Sequence, residues 1–159
     1  MADYEQLMAT LRNRRNIRQL KPDPVGDDLL MKLVDAARWA PSGNNYQPWE
    51  FVIVKDPQVI EQVGQIFVKQ AEQRKREQMP FHKMNRDWMK RVPAMIAVLC
   101  DPRWMQAYPH MPEGHPRAAL LRENAYRILL LGMGAAIQNM HLAAETLGLA
   151  LAWMTGAGE

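Results

Sequence analysis

The stretch Ile128–Ala144 constrains the fold more than any other part of the 159-residue chain. It reads ILLLGMGAAIQNMHLAA, which is apolar on nearly every side of a helix. A helix of that kind has no face to give to water, so neighbouring elements or a second subunit must cover it. Its apolar core, Ile128–Ile137, falls far short of the ~20 residues a membrane span needs, and Gln138, Asn139 and His141 follow at once. The helix is expected over Ala118–Leu147, with Gly148 as its C-terminal stop. Met1–Gln6 is polar and acidic, unlike a signal peptide. The expectation is a soluble cytoplasmic protein with no membrane partner.

The remaining chain alternates short helical and strand patterns. Tyr4, Leu7, Met8 and Leu11 recur at helical spacing and predict an amphipathic N-terminal helix. Pro22 and Pro24 then force an extended connection. Asp27 is the expected cap of a second helix whose core stripe is Leu30, Leu33, Val34 and Ala37, with Pro41 closing that region. The four consecutive apolar residues Phe51–Val54 read as a buried strand. Asp56-Pro57 reads as an N-cap followed by proline in the first turn of a helix that buries Val59, Val63 and Ile66 and leaves Glu72–Glu77 solvated. Pro93–Cys100 is a second buried strand, and Leu149–Thr155 a candidate third. Asp101–Pro116, with Trp104, Tyr108, His110 and His115, has no period and reads as a loop or lid. With no repeat or linker, residues 1–159 are expected to form one α+β domain in which helices outnumber strands.

Three segments carry candidate chemistry. Arg14-Arg15-Asn16-Ile17-Arg18 puts three guanidiniums within five residues after a helix. That cluster is either an anion site, because guanidinium donors match phosphate oxygens, or a solvated basic helix end that complements the helix dipole. Ala40-Pro41-Ser42-Gly43-Asn44-Asn45-Tyr46-Gln47-Pro48-Trp49 brackets small and amide residues between prolines. It can hydrogen-bond the edge of a planar heterocycle, or it can be an Asx-rich turn. Thr155-Gly156-Ala157-Gly158 permits close backbone approach to a ligand, or is a flexible end.

Other chemistries are poorly served. The lone Cys100 forms no internal disulfide and sits in an apolar run, as a buried strand thiol would. His82, His110, His115 and His141 lack zinc-site spacing, and His141 reads as a satisfied core residue. The five tryptophans and twelve methionines read as packing. No GxGxxG, P-loop or GxSxG element appears. The net charge of +3 suits an anionic small ligand as well as a nucleic acid. A nucleic-acid module would rest on Arg12–Arg18 and Arg74–Arg76, but Glu72 and Glu77 interleave the latter and no groove-reading motif is present. A non-catalytic protein using the apolar helix as a dimer seam is a further alternative.

The basic segment and the proline-bracketed segment, in this order, closely resemble the "RRSIR"-like start and "APSGxNxQPW"-like loop of the nitroreductase family. Gly134–Asn139, Leu142–Ala144 and Leu147–Leu149 resemble that family's central helix. The resemblance implies an α+β fold with a small antiparallel or mixed sheet flanked by helices, a central buried helix, and an intertwined homodimer binding two FMN at its interface. It implies that Arg14, Arg15, Asn16 and Arg18 hold the phosphate and pyrimidine side of the flavin. Pro41, Ser42, Gly43 and Asn45 would reach the flavin held mainly by the other subunit, and Thr155 and Gly156 would lie where a backbone N–H approaches flavin N5. The implied activity is NAD(P)H-driven ping-pong reduction of a small acceptor, such as a nitroaromatic, quinone or enone. A flavin-consuming reaction or a specialised dehydrogenation on the same fold is the alternative. Arg18 is the candidate for stabilising charge on the flavin, and no side-chain acid or base is required. Asn16 stands where the family usually has Ser. Family chains usually continue for a few dozen residues beyond the last match, often with a strand that embraces the partner. The expectation is therefore a chain incomplete at its C-terminus or a dimer held by its helices alone.

Overall fold

The computed structural model describes residues 3–79, 85–101, 103, 112 and 114–155. Helix α1 spans Tyr4–Asn13, opened by the Asp3 carboxylate accepting from the Glu5 and Gln6 N–H groups. Helix α2 spans Asp27–Arg38. A 3₁₀ turn at Gly43–Asn45 leads into strand β1, Trp49–Val54. Helix α3, Pro57–Arg76, starts on the Asp56 cap with proline in its first turn, as the sequence predicts, but it buries Ile60, Gly64 and Phe67, while Val59 and Ile66, expected on the buried face, are exposed. A second 3₁₀ turn, Asp87–Arg91, precedes strand β2, Met95–Cys100. Helix α4 covers Ala118–Thr146 and stops before Gly148, whose φ of +68° is the left-handed conformation expected there.

The architecture is α+β. β1 and β2 form an antiparallel pair in a register from Trp49↔Cys100 to Val54↔Met95. Leu33 and Ala37 of α2, Trp49 of β1, and Ala125, Leu129, Met133, Ala136, Met140 and Ala144 of α4 form the core. These α4 positions recur every three or four residues, so one stripe of the helix is covered. The Asn139 side-chain amide donates to the Ala36 carbonyl at 3.2 Å and fixes α4 against α2. None of the helices among the described residues is long and apolar enough to cross a membrane.

Several sequence expectations are corrected. Asp27 does not cap α2: Gly26 holds the cap position, and Asp27 instead pairs with Lys55 at 2.6 Å. The strands are covered on one face rather than two, because the pleat sends Val52 and Leu99 outward. Leu149–Thr155 makes a single parallel bridge, Leu151 to Asn16, rather than a full strand. The α1 stripe is present but buries nothing within this chain. Trp39 is 81% exposed, so it is not core packing here. Most of Asp101–Pro116, including Trp104, Tyr108 and His110, lies outside the described residues, as do His82 and Gly156.

Candidate functional site

The basic turn follows α1 directly and is stitched to the end of the chain. The Ile17 N–H donates to the Leu151 carbonyl at 2.9 Å. The Trp153 N–H donates to Asn16 Oδ1 at 2.6 Å. A backbone N–H can only donate, so the Asn16 oxygen faces Trp153, and its Nδ2 hydrogens are left as donors. These two bonds join Arg14–Arg18 to Leu151–Thr155, segments that are distant in sequence.

The arginines of this turn are placed differently. Arg14 is half-buried, while Arg18 is exposed, and neither forms an ion pair among the described residues. Arg15 folds Nη1 back onto the carbonyls of Arg12 and Arg14, the latter at 3.0 Å, where it satisfies groups left open at the end of α1. Trp153 lies over α4: its ring centre is 6.3 Å from that of His141, and its edge is the nearest atom to the open side of Gly134. His141 is buried, and desolvation, followed by the nearby positive Arg14, lowers its pKa.

The proline-bracketed segment is held on another part of α4. The Ser42 hydroxyl accepts from the Gln47 N–H at 3.0 Å, and the Ser42 carbonyl accepts from the Asn45 N–H at 3.0 Å. Asn44, Asn45 and Gln47 all have left-handed φ, at 50°, 56° and 50°. Asn tolerates that conformation, whereas Gln47 is strained in it. Gly43 is pressed against Ile128, and Gly132 lets the Pro41 carbonyl and Ser42 approach α4 closely. Ser42, Gly43, Tyr46 and Pro48 line a shallow cavity with Ile128, Leu129 and Gly132.

Helix geometry relates the two halves. Gly132 receives the loop and Gly134 receives Trp153. Two residues correspond to about 200° around the axis, since each residue turns by roughly 100°. The loop and the stitched basic turn therefore sit on nearly opposite sides of α4 within one chain.

The profile of the nitroreductase family matches residues 11–158. The chain belongs to the nitroreductase family. Iodotyrosine deiodinase of Danio rerio is 28% identical over 157 residues, covering 92% of this chain and 52% of that protein. The 5,6-dimethylbenzimidazole synthase of Rhodospirillum rubrum is 27% identical over 147 residues, covering 89% of this chain and 65% of that protein. A solved BluB-like flavoprotein from Clostridium difficile 630 shares the fold, with a TM-score of 0.72 at 24% identity over 95% of this chain and 74% of its own. The chain thus spans between half and two thirds of the length of these two curated relatives.

In this nitroreductase-family chain one group escaped the sequence reading. Arg86 precedes the second 3₁₀ turn, and its Nη1 lies 3.0 Å from the Met154 sulfur, next to Trp153. Its pKa is lowered, first by burial and then by the positive charges of Arg18 and Arg74. No local pattern marks it, because α3 and the 3₁₀ turn carry it to the site through tertiary packing. Cys100, by contrast, is at the end of β2 as expected, though half-buried; burial and then Asp101 raise its pKa, which leaves it a poor nucleophile at neutral pH. Among the described residues no group of His, Cys, Asp and Glu could hold a metal.

Proposed function

We propose that this chain is an FMN-dependent oxidoreductase that works as a homodimer and passes reducing equivalents from NAD(P)H to a small acceptor. The double stitch of the basic turn to Leu151 and Trp153 carries this reading, because it brings the guanidinium and amide donors of Arg14–Arg18 beside the backbone leading to Thr155. The donor chemistry fits a phosphorylated flavin. Arg14 and the Asn16 Nδ2 suit phosphate oxygens, with Arg15 released from its carbonyls as a further donor. Arg18 is the candidate cation for the electron-rich pyrimidine side. The backbone near Thr155 and Gly156 is the candidate donor toward the reactive ring edge.

Pro41, Ser42, Gly43 and Asn45 form the second wall. Their position across α4 from the basic turn supports a cradle completed by the loop of a second copy. When bound, the flavin supplies the two-electron redox chemistry, and the protein binds, orients and excludes water. Donor and acceptor would enter the same site in turn, which would give ping-pong kinetics.

The test is NADH and NADPH oxidation by FMN-loaded protein with 4-nitrobenzyl alcohol as acceptor. The reading expects many turnovers, parallel double-reciprocal lines and unchanged flavin absorbance. Flavin absorbance that disappears in step with turnover would point to a flavin-consuming reaction instead. FMN-loaded protein that oxidises neither nucleotide would contradict the reading.

A further inference from the structure

We propose that Trp153 is a positioning residue: its indole clamps the end of the described chain onto α4, and so fixes the backbone entering Thr155 as a donor toward the flavin N5. This deepens the flavin reading and rests on it for the group that Thr155 faces. Two independent holds meet at this one residue. The Asn16 Oδ1 accepts from the Trp153 main-chain N–H at 2.6 Å, just beyond the bond from the Ile17 N–H to the Leu151 carbonyl. The ring is held separately, by α4. Its Cη2 edge lies 3.8 Å from the position of a Cβ on Gly134, and its centre lies 6.3 Å from that of His141 at a tilt of 40°. That is the spacing of an offset aromatic contact. Gly134 and His141 are about two turns apart, so the indole lies along one face of the helix.

Core burial does not account for these holds. Trp153 is 37% exposed and lies outside the core, whereas Trp49 is 8% exposed and inside it. Their effect falls on what comes next in the chain. Two residues reach at most ~7 Å, so a pinned Trp153 confines Thr155 to a small volume. A donor in a cofactor site must be held to within about 0.5 Å. The Asn16 bond alone leaves the chain free to pivot about it, and the ring contact with α4 stops that pivot. The consequence is chemical. N5 of the oxidised ring accepts a hydrogen bond, whereas N5 of the reduced ring already carries a hydrogen. A positioned N–H therefore stabilises the oxidised state over the reduced one.

The experiment measures the affinities for oxidised and reduced FMN, and the two-electron midpoint potential of the bound flavin, in wild type and Trp153→Ala. Loss of one positioned hydrogen bond should weaken oxidised FMN by about tenfold and leave reduced FMN nearly unchanged, so the potential rises by about 30 mV. Trp153→Phe, which keeps a ring on α4, should recover most of the difference. Gly134→Val reaches the same end without altering Trp153, should Trp153→Ala fail to fold. A branched side chain there takes the place of the ring edge, whereas Gly134→Ala fits at 3.8 Å and should keep the wild-type potential. Equal weakening of both oxidation states, with the potential unmoved, would give Trp153 a purely structural role and overturn the proposal. So would a Gly134→Val potential equal to that of wild type. Wild-type protein that takes up no FMN ends the flavin reading and this proposal together, whereas FMN-loaded variants with unshifted potentials end this proposal alone.

Discussion

Asn16 has a structural bond and, on the proposed function, a ligand-binding role as well. Its oxygen fixes the Trp153 N–H, while its two amide hydrogens remain available as donors. On the proposed function Arg14 is the stronger determinant of affinity, since its guanidinium can make a charge-assisted contact to phosphate. Arg14→Ala is expected to weaken FMN binding by roughly tenfold or more, measured by quenching of flavin fluorescence; unchanged affinity would show that this arginine is misassigned. His141 makes a different prediction. Burial, followed by Arg14, holds its imidazole below the ordinary value of 6.5. As pH falls, the unfolded chain takes up this proton before the folded one does. The His141 contribution is therefore neutral above about pH 6.5 and increasingly destabilising below it. The urea midpoint should drop between about pH 7.5 and pH 5.5, and His141→Phe should reduce that drop. An identical pH dependence in the variant would exclude His141 as the cause.

The elements were legible where the cause is local. The Asp56-Pro57 start of α3, the Gly148 stop of α4 and the amphipathic stripe of α1 follow from caps and spacing, and each appears as expected. The strands were found, but the continuous apolar run at Phe51–Val54 did not reveal that one face lacks a cover within this chain. At α2, Gly26 holds the cap position, and Asp27 lies one residue inside the helix and pairs with Lys55 at the surface. The candidate site was partly legible for the same reason. Arg14–Arg18 and Pro41–Trp49 are contiguous motifs, whereas Arg86 reaches Met154 only through the packing of α3 against the Asp87–Arg91 turn. That packing is itself testable. A side chain at Gly64 would place its Cβ 2.8 Å from the Lys90 nitrogen and 2.9 Å from its Cα, so backbone would have to move. Gly64→Ala should destabilise the fold by about 1–3 kcal/mol in chemical denaturation despite the better helix propensity of alanine. A neutral or stabilising result would mean that the turn is free to shift.

At the scale of the molecule, the surface is more apolar than one copy can use. Leu131 on α4 is 74% exposed, and Tyr4, Trp39, Leu120 and Tyr126 are also open to solvent. Exposed apolar groups of this size and number fit a face that pairs with a second copy, and Leu120 and Leu131 lie on the side of α4 opposite its covered stripe, beside Arg127 and Gln138. On the proposed dimer, Leu131→Glu should convert dimer to monomer in sedimentation velocity and lose FMN in parallel, because that proposal draws the second wall of each cradle from the partner. A dimer that persists with FMN bound would separate this face from the site.

The cradle is the claim on which the rest depends, and the visible absorption spectrum of the purified chain tests it most directly. After incubation with excess FMN and removal of the free cofactor, the protein should be yellow, with close to one flavin per chain. A colourless protein after that treatment would contradict the account.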